Sequence, residues 1–187
     1  SPTPLWALLE ATYTPTPLYV NTPHMSSEAY GVGLRALQRG EWSNADSYFR
    51  QAATQVAISE PNAPDLLFYL GENYRMQGNT EKALEIYNQV ISLAPDFAPG
   101  YLGRGRLRLA QGSAAMVEAG AKDIQAAIEK DPNYGEAYLA LAGLQIDSGQ
   151  ARDALNTLDQ ALTVLPDSPL VFLYRADGII QRGTALL

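Results

Sequence analysis

The 187-residue chain contains no cysteine and a single histidine, His24. Without cysteine it can form no disulfide, no thiolate nucleophile and no thiolate metal site. His24 lies in a proline-rich stretch near the N-terminus, so the rest of the chain can assemble neither a serine–histidine–aspartate triad nor a histidine metal cluster. We therefore predict that the chain is not an enzyme and binds no metal and no cofactor. The lack of cysteine fits either redox compartment, and slightly favours an exported or membrane-anchored parent protein over a cytoplasmic one.

Long apolar runs and an excess of basic charge are also missing. No stretch reaches the roughly 18 apolar residues of a membrane helix, so we expect no membrane span. The net charge of −7 at pH 7 argues against a nucleic-acid partner, because phosphate binding needs a basic surface. The local basic cluster Arg104, Arg106 and Arg108 is not expected to form a patch, because its members should point in different directions on a helix.

Small residues recur along most of the chain at an interval near 34 residues. A first set is spaced 38, 34, 37 and 34 residues apart, and other residue types recur at similar intervals. This repeat grid comprises Gly33, Gly71, Gly105, Ala142 and Ala176; Gly40, Gly78, Gly112, Gly149 and Gly183; Ala45, Ala83, Gly120 and Ala154; Phe49, Tyr87, Ile124 and Leu158; and Pro61, Pro95, Pro132 and Pro166. The chain is therefore a repeat array, and such arrays are surfaces for binding.

Local chemistry in residues 64–97 predicts two helices joined by a tight turn, because apolar residues recur at intervals of three, four and seven. Gly71 removes a side chain where the second helix must approach closely, and Tyr87 fills the space beside it. Gly78 lies between the two apolar runs and accepts positive φ at a helix end. Asn79 is then placed to cap the next helix.

These residues resemble the tetratricopeptide repeat, a helix–turn–helix unit. The matching residues are Leu67, Leu70, Gly71, Tyr74, Gly78, Ala83, Tyr87 and Pro95 in one repeat, and Tyr138, Leu141, Ala142, Gly149, Ala154, Leu158, Ala161 and Pro166 in another. The resemblance covers roughly residue 26 to the C-terminus. It implies an all-α fold, an α-α superhelix (solenoid) of helical hairpins preceded by an extended, proline-rich N-terminal segment.

We divide the chain into a Pro/Thr-rich segment, 1–25, and a repeat domain, 26–187. The domain holds repeats at about 26–63, 64–97, 98–134 and 135–168, and a terminal first helix at 169–187. Four extra residues between Phe49 and Pro61 predict a second helix that is one turn longer. Three extra residues between Gly112 and Gly120 predict either a longer loop or one added turn.

The N-terminal segment, residues 1–25, has five prolines and favours extended, polyproline-like chain. Between the prolines, Leu5, Trp6, Leu8 and Leu9 could form the apolar face of a short helix. The segment is either a linker or an element that docks on the repeats or on a neighbouring copy.

In proteins of the resembled family, the first helices of the repeats line a concave groove. Carried onto this sequence, the resemblance implies a mostly apolar and aromatic set of groove residues. They are Tyr30, Leu34, Phe68, Tyr69, Glu72, Arg75, Leu102, Arg106, Leu139, Tyr174 and Asp177, with Gly143 and Leu173 beside them and Gly31, Gly103 and Ala140 as points where a ligand backbone could approach. Alternatively, about half of the apolar members pack between neighbouring helices.

One subtype of the family holds the C-terminal carboxylate of chaperone tails with Lys and Asn. The corresponding positions here are Tyr30, Leu34, Tyr69, Pro99 and Gly103, which argues against that function. We expect a protein–protein or peptide-binding scaffold module, part of a longer protein or assembly, whose partner is an apolar or Pro-rich segment. The alternative is a regulatory or substrate-recruiting domain of a multidomain enzyme whose catalytic part lies elsewhere.

The last helix carries more apolar residues than one face can bury: Leu170, Val171, Phe172, Leu173, Tyr174, Ile179 and Ile180. Gly183 is predicted to end this helix, and Thr184 to begin another. We expect the parent protein to continue past Leu187. We also expect this chain to bury the apolar surface by forming a homodimer through the C-terminal helix.

Overall fold

The structure is a computed structural model that describes residues 28–55 and 63–184. Every regular element in those two ranges is an α-helix. The helices are α1 Glu28–Gln38, α2 Trp42–Gln55, α3 Ala63–Met76, α4 Thr80–Leu93, α5 Ala98–Ala110, α6 Ala114–Lys130, α7 Gly135–Asp147, α8 Ala151–Val164 and α9 Pro169–Thr184. The all-α repeat architecture is confirmed, whereas the predictions for residues 1–25 lie outside the described residues.

Consecutive helices pack as hairpins, α1 with α2, α3 with α4, α5 with α6 and α7 with α8, and α9 packs on α7 and α8. Each second helix also contacts the first helix of the next repeat. The first helices pack on one another between α1 and α3, α3 and α5, and α7 and α9. The first helices therefore form an inner layer whose contacts are sparse between α5 and α7, and the second helices lie behind it.

Four first helices end in a glycine with φ near +73°: Gly40, Gly78, Gly112 and Gly149. At the end of α3, the Gly78 amide donates to the Arg75 carbonyl at 3.0 Å, and the Asn79 amide donates to the Tyr74 carbonyl at 2.9 Å. These bonds satisfy the last carbonyls of the helix and reverse the chain at a residue without a Cβ. The Asn79 side chain then caps α4 by accepting from the Lys82 amide, so the turn prediction is confirmed.

Gly183 departs from this pattern, and its predicted role was wrong. Helix α9 runs through Gly183 to Thr184, and Gly183 is absent from the glycines with positive φ. At the other four glycines a returning helix packs against the one that has just ended. No returning helix follows α9 among the described residues.

Close packing within the hairpins follows the repeat grid. A Cβ built on Gly71 would lie 2.8 Å from Cε1 of Tyr87, and one on Gly33 would lie 2.8 Å from Cδ1 of Phe49. Each missing side chain thus makes room for an aromatic ring of the second helix. The buried apolar residues form three clusters along the array, as expected when each repeat packs mainly on its neighbours.

The insertion of the third repeat lengthens a helix. Helix α6 has 17 residues, whereas the second helices α4 and α8 have 14. It begins at Ala114, two residues after Gly112, so the extra residues form an added turn rather than a longer loop. The insertion of the first repeat extends into residues 56–62, outside the described residues, and the longer second helix there stays a prediction.

The three arginines of α5 are all paired with carboxylates. Arg104 and Arg108 both bind the buried Asp123 of α6, at 2.7 Å each, and Arg106 binds Glu136 of α7 at 3.3 Å. Arg104 and Arg108 therefore share a face, which corrects the expectation that all three diverge, because residues four apart lie above one another on a helix. The single carboxylate of Asp123 offsets part of the positive charge of that face.

Candidate functional site

The inner face of the first two repeats is filled by the protein's own aromatic side chains. Tyr30, Phe68 and Tyr69 are at most 6% exposed. Their rings meet edge-on, with centroids 6.1 Å apart for Tyr30 and Tyr69 and 5.2 Å apart for Phe68 and Tyr69, a favourable aromatic arrangement. Leu34 is partly buried against the same cluster. These four predicted groove residues therefore pack between neighbouring helices, which was the alternative interpretation of the sequence.

Buried carboxylates complete this filled region. The Tyr30 hydroxyl donates to the Asp65 carboxylate, and the Tyr87 hydroxyl donates to Glu72. Arg75 binds Glu72 through Nη2 at 2.7 Å and Nε at 3.1 Å. Burial, and then the adjacent carboxylate, raise the pKa of Tyr30 and of Tyr87, so both phenols stay protonated donors. The carboxylate of Glu72 thus accepts hydrogen bonds from Arg75 and from the hydroxyl of Tyr87. Both Glu72 and Arg75 had been predicted as groove residues.

Two predicted groove positions of α5 are also taken up by packing within the protein itself. Leu102 is fully buried and packs in a cluster with Ile124 and Tyr134. A Cβ built on Gly103 would lie 2.5 Å from Cε1 of Tyr87. The space at Gly103 is therefore taken by a ring of α4 and is closed to a ligand backbone, contrary to the sequence-based expectation.

An open groove lies further along the array, where α7 faces α5 and α9. Its volume is about 1340 Å³. Three of the predicted groove residues lie on its walls, Arg106 from α5, Leu139 from α7 and Tyr174 from α9. The remaining apolar lining consists of Leu109, Val117, Tyr134, Ala140, Leu144, Val164, Leu165, Pro166, Pro169 and Leu170.

Small residues on α7 give this groove its width. A Cβ on Gly143 would have no neighbour closer than the Tyr174 hydroxyl, 3.9 Å away. Ala140, one turn earlier on α7, also lines the groove and is only partly buried. Gly143 differs in this respect from Gly71 and Gly103, whose missing side chains are replaced by the ring of Tyr87. The space beside Gly143 is open to a ligand.

The charged groups of the groove are mostly acidic. Its walls carry one basic residue, Arg106, and the carboxylates of Glu136, Asp147 and Asp167. Nη2 of Arg106 lies 3.3 Å from Oε2 of Glu136, and about a third of each side chain is exposed. Burial raises the pKa of Glu136, and the nearby Arg106 offsets part of that rise. Because Arg106 is already paired, the site as a whole favours neutral or basic ligands over acidic ones.

Tyr134 lies at the base of the groove and was missed by the sequence interpretation. It is 2% exposed, and its hydroxyl has no hydrogen-bond partner among the residues that the structure describes. Burial and then the carboxylate of Glu136 raise the pKa of Tyr134. Glu136 was also missed, although the repeat grid contained a signal for it: Glu136 precedes Ala142 by six residues, as Asp65 precedes Gly71.

Asp177 and Leu173 lie away from the groove. Both are exposed on α9, and neither lines the groove that contains their helical neighbour Tyr174. Leu173 is one residue from Tyr174 and therefore points in a different direction, whereas Asp177, three residues after Tyr174, lies beside it on the helix surface but outside the groove lining. The structure therefore separates these two predicted groove residues from Arg106, Leu139 and Tyr174.

Two properties of the described ranges bear on function. Residues 28–55 and 63–184 contain no group of three or more His, Cys, Asp or Glu side chains placed to hold a metal ion. Within the same ranges, the helices are too short or too polar to cross a bilayer.

Solved structures with the same fold are numerous. A thermophilic tetratricopeptide repeat protein of Thermus thermophilus matches with a TM-score of 0.68 and 19% identity, over 84% of this chain and 88% of that one. The TPR2B domain of yeast Sti1, in its complex with pHsp70, matches with a TM-score of 0.56 and 27% identity, over 63% and 97%. The first repeat domain of Spaghetti, bound to an HSP90 peptide SRMEEVD, matches with a TM-score of 0.57 and 15% identity, over 66% and 94%.

Family models identify the same repeat from the sequence. One tetratricopeptide repeat model matches residues 64–97, and a second matches residues 116–176. Together these ranges cover α3 and α4, most of α6, then α7, α8 and the first half of α9, which is just over half of the chain. The hairpins, the glycine turns and the small-to-aromatic contacts at Gly33 and Gly71 agree with both matches. The chain belongs to the tetratricopeptide repeat family.

Proposed function

We propose that this chain is a protein-interaction scaffold module that binds an extended peptide segment in the groove between α5, α7 and α9. The proposal rests on a difference between two parts of the inner face. In the first two repeats that face is filled by Tyr30, Phe68 and Tyr69, whereas beside Gly143 it opens into a groove of about 1340 Å³. The fold is shared with domains that bind peptides.

The lining indicates an apolar segment, with proline favoured among its residues. Leu139, Leu144 and Leu165 offer aliphatic surface, and Tyr174 offers an aromatic ring opposite Gly143. Aromatic rings in shallow grooves suit proline side chains, since a polyproline-like segment is already extended and loses little entropy on binding. The N-terminal segment of this same chain, with five prolines and Trp6, has matching chemistry.

The charges disfavour an acidic tail. The HSP90 peptide held by the Spaghetti domain contains two glutamates and one aspartate. Among the described residues that line this groove, Arg106 alone is basic, and it is paired with Glu136. An acidic segment would therefore meet the carboxylates of Asp147 and Asp167 without a free cation to balance them. We infer a ligand that is neutral or basic where it contacts α7.

The same charges disfavour nucleic acid as a partner. The chain carries a net charge of −7, and the three arginines of α5 are paired with Asp123 and Glu136. Phosphate binding requires cations that are free to replace counterions. A protein or peptide segment is therefore the proposed partner class.

A random-peptide phage library sorted on the full chain tests this function. The decisive variant is Gly143→Leu, which places a side chain in the open space facing Tyr174. Gly31→Leu is the matched control, because Gly31 lies on α1 with only the flexible tip of Arg35 nearby, at 3.6 Å. Both changes replace a helical glycine by a better helix former, so neither should lower stability.

The expected result is enrichment of apolar or proline-containing peptides that bind the wild type and Gly31→Leu alike. Their affinity for Gly143→Leu should fall on the order of a hundredfold, since a filled pocket excludes the anchoring side chain. Selected peptides that are acidic, or that bind Gly143→Leu as tightly as wild type, would contradict the proposal.

A further inference from the structure

Exposed apolar side chains are concentrated on the last helix. Of the seven large hydrophobic residues that are exposed in the described ranges, five lie on α9: Leu170, Phe172, Leu173, Ile179 and Ile180. Phe172, Ile179 and Ile180 are 54%, 57% and 64% exposed. Contiguous apolar surface of this kind on a water-exposed helix marks a contact site.

Four of these residues, all except the groove-lining Leu170, form one face of α9, opposite the face that packs on the array. The packed side contains Val171, which is fully buried, and Gly178, where a Cβ would lie 3.3 Å from Leu155 of α8. The other side has Phe172, Leu173, Ala176, Ile179 and Ile180 at helical intervals of three and four. We call this second side the outer face of α9.

In α1 and α3, the corresponding face packs against the following helix. On the repeat grid, Ala176 corresponds to Gly33 of α1 and Gly71 of α3. Those two positions are buried against Phe49 and Tyr87 of the following helix. In α9 the corresponding position is exposed. The outer face therefore has the shape of a helix-packing surface with a small residue at its centre.

We propose that the outer face of α9 packs against α9 of a second copy, antiparallel, with the two-fold axis at Ala176. The face is symmetric about that residue. Phe172 and Ile180 lie four positions before and after Ala176, and Leu173 and Ile179 lie three positions before and after it. An antiparallel two-fold pairing therefore places large residues opposite large residues and Ala176 opposite Ala176 of the second copy.

The charged residues beside Ala176 lie on the two flanks of the outer face. Arg175 precedes Ala176 by one residue and Asp177 follows it by one, so their side chains point to opposite sides of this face. Arg175 pairs with Asp159 within its own chain, and a third of its side chain stays exposed. Asp177 is exposed and makes no ion pair among the described residues. Neither charge lies at the centre of the antiparallel contact, which is formed by the apolar residues.

The size of the contact predicts a reversible dimer. Helix α9 has 16 residues and is about 24 Å long. One pair of such helices buries an area at or below the lower end of specific interfaces, about 1,200 Å² in total. We therefore expect a dimer that dissociates on dilution.

Sedimentation equilibrium of the full chain over a concentration series is the first test. The wild type should show a monomer–dimer equilibrium, and Ala176→Arg should weaken it on the order of a hundredfold, because the change places two charges at the axis. Ala115→Arg on α6 is the matched control, since Ala115 is also an exposed helical alanine, and it should dimerise as the wild type does. Gly143→Leu should also leave the dimer unchanged, which separates this proposal from the peptide groove.

Disulfide crosslinking tests the orientation, since the chain has no native cysteine. Ala176→Cys alone should crosslink under mild oxidation, because the two Cα atoms meet at the axis within the reach of a disulfide. Phe172→Cys and Ile180→Cys should each stay uncrosslinked alone and crosslink when mixed. A wild-type chain that is monomeric at millimolar concentration would overturn the proposal, and so would a dimer unaffected by Ala176→Arg. Crosslinking of Phe172→Cys alone without crosslinking of the mixture would overturn the antiparallel arrangement.

Discussion

The inner face of the first two repeats and that of the fourth repeat are built on one grid but have opposite contents. In the first two repeats, Tyr30 and Phe68 are buried, and the carboxylate of Glu72 is bound by Tyr87 and Arg75. In the fourth repeat, Gly143 leaves the groove open, and its nearest cross-groove neighbour, Tyr174, is 3.9 Å from the Cβ position.

This difference shows that the position of a residue on the repeat does not decide whether it can bind a ligand. The decisive factor is whether a neighbouring helix supplies a side chain that fills the same space. Phe68 meets Phe97 and Tyr87, with centroids 6.1 and 6.3 Å apart, whereas the Tyr174 side chain only borders the space at Gly143, at 3.9 Å from the Cβ position, and does not occupy it. The first region therefore serves as structural support, and the second is the proposed binding surface.

The largest expected effect is the loss of stability from Gly71→Leu. The Cβ position at Gly71 lies 2.8 Å from Tyr87 and 3.3 Å from Ile86, so a leucine must displace a fully buried ring. Overpacking of this kind costs about 3 kcal/mol, the upper end of the usual range. Urea unfolding should show the loss. The same substitution at Gly143 should keep the wild-type midpoint or raise it, and equal destabilisation by both would remove the distinction between the two regions.

Alkaline pH should weaken the filled region next. Burial and the adjacent carboxylates raise the pKa of Tyr30 and of Tyr87 above the ordinary 10.0. The folded state keeps both phenols neutral, so their contribution is complete below pH 10 and is lost as pH rises above it, when the unfolded chain ionises. The free energy of unfolding should fall by about 1.4 kcal/mol per pH unit for each tyrosine.

Urea unfolding on either side of this pH measures the slope. The double variant Tyr30→Phe/Tyr87→Phe supplies the control, because it removes both ionising groups and should show a shallower fall with pH. An identical slope in the variant would mean that these two phenols are not held neutral by the fold.

A smaller effect should distinguish two buried hydroxyls. Tyr87→Phe removes a donor to the buried carboxylate of Glu72, and bonds to charged groups contribute about 1.5–3 kcal/mol. Tyr134→Phe removes a hydroxyl that has no partner among the described residues, so it should be neutral or slightly stabilising. Thermal melts of the two variants compare them directly, and the reverse order of stability would contradict both hydrogen-bond assignments.

The smallest predicted effect concerns the turn glycines. Gly112→Ala should cost about 1 kcal/mol, because Gly112 has φ +73° and an L-residue is strained there even with no neighbour within 4 Å. Gly183→Ala should gain less than about 1 kcal/mol, because Gly183 lies within α9 and also has open space around it. Differential scanning calorimetry should resolve shifts of opposite sign, and equal destabilisation would restore the turn predicted for Gly183.

Much of the fold was accessible from the sequence because its determinants are local or repeated. Gly78 and Asn79 specify a turn by their own backbone and side-chain chemistry, and Gly71 and Tyr87 contact each other as the grid requires. Gly183 was misassigned because a glycine turn also depends on a helix that returns. The grid alone does not contain that information.

The site was less accessible because burial depends on two neighbouring helices at once. The sequence pattern predicted Tyr30, Phe68 and Leu102 as groove residues in the same way as Leu139 and Tyr174, although the first three are buried. An aromatic residue at a groove position has the same sequence signal whether it meets a ligand or another ring. Arg106, Leu139 and Tyr174 were predicted on the same basis as the buried residues, and they differ from them only in lining an open groove.

Hydrogen exchange of the full chain, with and without a library-selected peptide, directly tests whether the groove between α5, α7 and α9 binds the peptide. We expect slower exchange on binding in α5, α7 and α9, with α1 and α3 unchanged. Gly143→Leu should show no such slowing at the same peptide concentration. Slower exchange centred on α1 and α3, with α7 unchanged, would contradict the assignment of the open groove as the binding surface.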